Sequence, residues 1–340
     1  MDEDAEPATD EELTYAATGV DIEASDAATA ALVGAGASLG EQTGDPDLSG
    51  YAGLVDIGDR YLGLATDGVG TKLLVAEAIE EYSTVGIDCV AMNANDMVAQ
   101  GVEPVAFVDY LAVDAPDEDC AQQLGEGLQR GCNRAGLSLV GGEFAVLPEV
   151  LTGFDLAGTC AGLAPKDAII PGDASAGDAL VGFASSGIHS NGLTLARQAV
   201  TRNYDYEDPF PHDNSKTIGE VLLEPTKLYT GLLDALRAHD VHAAAHITGG
   251  GWENLGRLGA FHYRISDPLD AQPIFEFVQT EGNVSDAEMH RTFNMGTGFV
   301  VALPDAEAGS LVEATDGARI GTVETGQRVS IRGLELSLSE

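Results

Sequence analysis

The chain has 340 residues, 44% of them apolar, too many to remain disordered and more than one core ordinarily organises, so two compact domains are expected. Its 56 acidic residues against 16 basic ones leave a net charge of -40, which excludes nucleic acid and anionic membranes as partners. No apolar run reaches the roughly 18 residues of a membrane span, and the acidic opening MDEDAEPATDEEL is the reverse of a secretory signal, so a cytoplasmic protein is expected.

Residues 1 to about 20 are polar, and Ser25 to Val33 form an alanine-rich amphipathic stretch before a loop rich in Gly and Asp, Gly34 to Gly50. The globular body then opens with a predicted strand at YLGLAT (61–66), a helix over 84–101 closed by Gly101, and a strand at VAFVDYLAV (105–113). A helix from Asp117 to Arg134, a strand at LSLV (137–140) that ends in a turn at Gly141, and the alternating DLAGTCAGLA (155–164) complete the first half. Pro165 to Asp178 reads as a linker. Beyond it lie the strand ALVGFAS (179–185), helices from Asn191 and over Thr226 to His239, and late strands at 298–303 and 329–333. The lack of a regular βαβ beat favours α+β domains over a doubly wound sheet. The expected division is an N-terminal extension over 1–45, a first domain over 46–164 and a second over 179–340.

Five segments could carry chemistry. ATDGVGTKLL (65–74) runs a strand into a turn on Gly68 and Gly70; the turn either exposes charges or admits phosphate to its amides, with Asp67 available for Mg²⁺ and Lys72 for phosphate charge. In the helix over 84–101, the steps Val85, Cys89, Met92, Asp96 and Ala99 follow one face, which places the Asp96 carboxylate in an apolar stripe beside Asn93 and Asn95. Such an acid needs a salt bridge, a cap, a metal ion or a substrate donor. LVGGEFAVLP (139–148) offers Glu143 after a diglycine turn. SSGIHSNGLTLAR (185–197) and HITGGGWENLGR (246–257) each lead from a strand through glycines into a helix, where free amides and the helix dipole suit a phosphate monoester. Plain capping would also explain the first of these, and His246 is as readily a core histidine as a ligand.

Together with GIDCVAMNANDMVAQG, LLEPTKLY and TFNMGTGF, these blocks stand in the order and spacing of the phosphoribosylformylglycinamidine cyclo-ligase (aminoimidazole ribonucleotide synthetase) family, which the chain resembles across roughly residues 14 to 330. YAATGVDI (15–22) and GGEFAVLP depart from the family pattern at Ala16, Thr18 and Phe144. The resemblance implies an α+β N-terminal domain whose strands form a barrel across a homodimer, followed by an α/β C-terminal domain, with the active site between the domains. It implies ATP-dependent closure of formylglycinamidine ribonucleotide to aminoimidazole ribonucleotide, releasing ADP and phosphate. On that basis Asp67, Asp96 and Glu143 hold Mg²⁺, while Gly68, Gly70, Thr71, Lys72, Asn95, Gly142 and Glu143 bind ATP. Ser186, Gly187, His189, Ser190, Asn191, Gly192, Gly249 and Gly250 bind the substrate. Asp67, Lys72, Asp96, His189 and His246 are the expected catalytic set, the histidines serving substrate binding or proton transfer.

The same superfamily contains thiamine phosphate kinases, whose phosphate stays on the product, and selenophosphate synthetases, whose reactive N-terminal Cys or selenocysteine has no counterpart before Cys89. A regulator without turnover would keep the glycine turns but not the carboxylates. The four cysteines, Cys89, Cys120, Cys132 and Cys160, show no CxxC spacing and are expected to be reduced thiols without chemistry. Acids scattered through every segment repel one another unless salt near 1 M shortens the screening length to roughly 3 Å, so a salt-rich cytosol is expected.

Overall fold

The computed structural model describes residues 12–20, 27–29, 31, 32 and 51–338. Residues 27–29, 31 and 32 are helical, within the expected alanine-rich stretch, whereas the loop expected over Gly34 to Gly50 lies outside the described residues. The first half contains β1 (Gly53–Asp56), β2 (Arg60–Gly68), α1 (Leu73–Ala78), α2 (Val85–Ala99), β3 (Glu103–Val113), α3 (Glu118–Ala135), β4 (Ser138–Val146) and β5 (Phe154–Pro165). Its sheet runs β1-β2-β5-β3-β4, antiparallel except between β3 and β4, which α3 connects. Asp117 caps α3 by accepting the Cys120 amide at 2.8 Å, and Gly136 at φ 75° ends it.

Helix α2 lies between this sheet and α3. All its residues except Asp96 are buried, and it approaches α3 through glycines: a methyl at Gly86 would fall 2.3 Å from the Leu128 nitrogen. One sheet face therefore carries the core. The other leaves Val55, Leu64, Val108 and Tyr110 exposed, four side chains on β1, β2 and β3 that none of the described residues covers.

The second half contains β6 (Ala179–Ala184), α4 (Leu193–Val200), β7 (Pro209–Phe210), β8 (Asp213–Thr217), α5 (Ile218–Leu222), α6 (Leu233–Arg237) and β9 (Ala243–His246), then β10 (His262–Ile265), α7 (Pro273–Gly282) and α8 (Asp286–Thr292). It closes with β11 (Thr297–Leu303), α9 (Asp305–Ala314), β12 (Ala318–Glu324), β13 (Arg328–Ile331) and β14 (Leu334–Ser337). The order β14-β13-β10-β12-β6-β11-β9 is mixed, with β10 and β13 parallel and the other pairs antiparallel. The core crosses between halves, because Leu193, Leu195, Ile218 and Phe275 pack in one apolar cluster with Val69, Val85 and Cys89. Among the described residues no helix is long and apolar enough to cross a membrane.

Two elements differ from expectation. The diglycine of LVGGEF does not turn; β4 continues through it to Val146, because Gly141, Gly142 and Glu143 pair in register with Val108, Asp109 and Tyr110. The helix expected over Thr226 to His239 is reduced to a 3-10 turn, Thr230–Leu232, and α6. Pro225 disfavours helix before it, and Thr226, Lys227 and Tyr229 give their amides to Asp88, His189 and Asn95 instead of to a helical ladder.

Candidate active site

The cleft between the two sheets is built around the end of β2. There the Asp67 carboxylate accepts the Gly68 amide at 2.7 Å. The surrounding protein strips hydration from this acid, and the charge of Asp96 adds to the effect, so its pKa is pushed up to about 6. An acid held this way favours a cation beside it. The backbone carbonyl of Asp67 accepts from Asn93 Nδ2 at 3.2 Å, which fixes the strand end to α2.

Asp96, the one residue of α2 that is not buried, points toward β9. Its Oδ1 lies 2.9 Å from Nδ1 of His246, and Asn95 Nδ2 lies 3.3 Å from Nε2 of the same ring. With the amide donating to Nε2, the imidazole proton sits on Nδ1 and is donated to Asp96. His246 is wholly buried and both its nitrogens are engaged, so it orients Asp96 and has no free nitrogen for proton transfer. Asn95 is likewise not free for nucleotide: its Nδ2 also reaches the Lys227 carbonyl at 2.9 Å, and its Oδ1 accepts the Tyr229 amide at 2.8 Å.

Glu143 does not join this group within one chain. Asp67, Gly158, Asp109 and Gly142 stand side by side across β2, β5, β3 and β4, on the face packed against α2. Glu143 pairs with Tyr110 and therefore projects from the opposite, apolar face. The register brings in Asp109 instead, two strands and about 10 Å from Asp67. A methyl at Gly142 would fall 2.3 Å from Asp109 Oδ1, so this glycine makes room for that carboxylate, whose pKa burial raises. Among the described residues no three His, Cys, Asp or Glu side chains converge to cage a metal. Asp67 and Asp96 nonetheless fit Mg²⁺ carried by a nucleotide, because that ion takes one or two carboxylates and fills its shell with phosphate and water oxygens.

Lys72 departs furthest from expectation. It follows Gly70 (φ 71°) but turns inward, wholly buried, with Nζ 2.9 Å from Asp88 Oδ1 and 2.7 Å from the Glu224 carbonyl. Burial lowers its pKa, and the charge of Asp88 opposes that shift. In this conformation it is an internal ion pair that does not reach a triphosphate. Thr71 is similarly committed, its hydroxyl 2.9 Å from that of Thr194.

In the loop before α4, Ser186 gives its hydroxyl to the Pro225 carbonyl at 2.6 Å, Ser190 gives its own to Asp88 at 3.2 Å, and the Gly187 carbonyl accepts from Asn294. His189, at φ 67°, is buried with Nε2 accepting the amides of Ser186 and Lys227 at 3.1 and 3.4 Å. Burial holds its pKa well below the usual imidazole value; with Nε2 accepting both amides the ring shapes the loop, and its Nδ1 is buried without a protein partner. The loop faces the second glycine turn, since a methyl at Gly249 would meet Asn191 Nδ2 at 3.3 Å. Gly192 and Gly250 take positive φ of 81° and 88°, and Asn191 Oδ1 is buried without a protein partner. What remains for a ligand is backbone between Gly187 and Gly192, Asn191, and the turn at Gly249 and Gly250.

Residues 49–164 match the N-terminal domain of the family described as AIR synthase related protein, and residues 175–333 match its C-terminal domain. The chain belongs to the AIR synthase family. It is 48% identical to a phosphoribosylformylglycinamidine cyclo-ligase of Methanosarcina acetivorans over 93% of its own length and 97% of that protein's. Against the cyclo-ligase of Pyrococcus horikoshii it is 46% identical, over 87% and 89% of the two chains. Among solved structures, thiamine monophosphate kinase from Aquifex aeolicus superposes with a TM-score of 0.61 at 17% identity, covering 88% of this chain and 96% of that one. Hydrogenase maturation protein HypE in complex with ATP superposes at 0.61 and 17%, covering 82% and 84%. The two structures share the family's fold.

Sequence reasoning missed Asp88, Asp109 and Thr226. Asp88 stands in the same helix as Asp96, and the apolar-face argument chose the wrong acid as the buried one. Asp109 had a usable signal, an acid in the middle of an otherwise apolar strand.

Proposed function

We propose that the chain closes the imidazole ring of formylglycinamidine ribonucleotide at the expense of ATP, giving aminoimidazole ribonucleotide, ADP and phosphate. The observation that carries this reading is the likeness to cyclo-ligases over nearly the whole of both chains. Ring closure requires an amidine nitrogen to displace a formamide oxygen, a very poor leaving group. Transfer of the γ-phosphoryl to that oxygen breaks the bond to ADP and makes an imidate phosphate. The nitrogen then bonds to the formyl carbon, the carbon–oxygen bond breaks, and the oxygen leaves within inorganic phosphate. Catalysis of the first half is positioning and charge neutralisation.

In this scheme Asp67 and Asp96 would hold a nucleotide-borne Mg²⁺, which would supply charge neutralisation to the phosphoryl group. His246 keeps Asp96 turned into the cleft. The amide of Gly70 approaches the nucleotide, while that of Gly68 stays on the Asp67 carboxylate, and the backbone of Gly187 to Gly192 with Asn191, Gly249 and Gly250 receives the substrate's 5′-phosphate. The exposed row Val55, Leu64, Val108 and Tyr110 supports a homodimer closed through that sheet face, which would carry Glu143 into the interface. The charge of -40 supports a salt-rich working environment.

Incubation of the chain in molar KCl with Mg-ATP and formylglycinamidine ribonucleotide tests the reading. ADP, phosphate and aminoimidazole ribonucleotide should appear in equal amounts and be lost in Asp96→Asn. ADP without free phosphate would make it a kinase, and no turnover would refute both.

A further inference from the structure

Asp88 gathers more of the site than any residue that faces the cleft. Its Oδ1 accepts from Lys72 Nζ at 2.9 Å, the Thr226 amide at 2.7 Å, the Thr226 hydroxyl at 2.6 Å and Ser190 Oγ at 3.2 Å. These donors come from three places: the turn after Asp67, the extended segment after Pro225, and the loop before α4. Lys72 returns a bond to the Glu224 carbonyl, so the same extended segment is held by both members of the pair. Neither side chain is exposed at all, which removes both from contact with ligand. Among the described residues, Lys72 is the one full counter-charge within bonding distance of Asp88.

We propose that Lys72 and Asp88 are a positioning pair that sets the Gly187–Gly192 backbone in register with the Asp67 turn. The pair thereby fixes the distance between the substrate's phosphate and the nucleotide. The inference rests on the phosphate-binding role given to that loop above. It assigns the lysine of the TDGVGTK turn to architecture, two bonds removed from substrate. Ser190 connects directly to the loop, and Thr226 connects through Lys227 and His189, whose ring accepts the Ser186 and Lys227 amides. Losing either charge frees the loop while leaving Asp67 and Asp96, held by Gly68, Asn93 and His246, where they are.

The test is calorimetric titration of Lys72→Met, Asp88→Asn and the double variant with two probes, ribose 5-phosphate and a non-hydrolysable Mg-ATP analogue. Ribose 5-phosphate should bind about tenfold more weakly to each single variant, the double variant should be no worse than the singles, and nucleotide affinity should stay within about twofold. In turnover, KM for the ribonucleotide should rise while KM for ATP holds. Weakened nucleotide binding with unchanged ribose 5-phosphate binding would return Lys72 to the triphosphate and overturn the proposal. Unchanged affinity for both probes, or a wild-type chain that does not bind ribose 5-phosphate, would also overturn it. If the pair variants do not fold, Thr226→Val must reproduce the split between probes or the proposal fails. Wild-type turnover is read separately, so failure of the cyclo-ligase reading is visible on its own.

Discussion

Asp67 is poised between two charge states. Its pKa of about 6 lies above the value near 3.9 of a free aspartate, so the folded chain binds its proton more tightly than the unfolded chain does. The resulting stabilisation is complete below pH ~4 and is lost as pH rises through ~6. Calorimetry of ligand-free Asp67→Asn in molar KCl should therefore show a higher Tm than wild type at pH 7.5 and a smaller gain at pH 5, while turnover falls about 100-fold or more. Equal Tm differences at both values would mean that the acid is not perturbed. Asp67 was legible as a candidate because a strand runs into a glycine turn there, although a plain turn with exposed charges explains the same residues. Asp88 was not, because a stripe argument presumes an exposed face, and α2 is buried on all sides except at Asp96.

At the scale of elements, close packing of α2 on α3 places the helix bearing Asp96 against the sheet bearing Asp67. Gly86, Gly127 and Gly131 bring the backbones together, so Gly86→Ala should cost about 1–3 kcal/mol, read as a lower midpoint in denaturant with unchanged slope. An unchanged midpoint would show that the helices can separate without loss. Strands were legible where alternating or continuous apolar runs met turn residues, as at β5, which alternates, and at β6, whose residues are nearly all buried. LVGGEF misled because glycine marks turns locally, while here it lets a strand pass beside the Asp109 carboxylate. The segment after Pro225 misled because its composition suits a helix, whereas its amides are claimed by Asp88, His189 and Asn95, residues 38 to 138 positions away. Local patterns do not register such partners.

Across the whole molecule, acidic surface and one uncovered apolar sheet face act in opposite directions on assembly. Lowering KCl from molar to ~0.1 M lengthens screening to roughly 10 Å, and sedimentation should show dimers giving way to monomers, with Tyr110→Glu monomeric at both salts. A wild-type chain whose mass is independent of salt and of Tyr110 would place the interface elsewhere. The basic side chains are too few to offset the acids, and all four lysines are spent on ion pairs, with Lys166, Lys216 and Lys227 at the surface and Lys72 sealed inside. That distribution makes the chain its own reporter of opening. An amine-acylating reagent should modify three lysine side chains quickly in the native state and the fourth only when the two halves part. The delay before Lys72 gains its adduct, followed by mass spectrometry of its peptide, would time the breathing of the cleft, and saturating ligand should lengthen it. Immediate labelling of all four would mean that the halves separate faster than the reagent reacts.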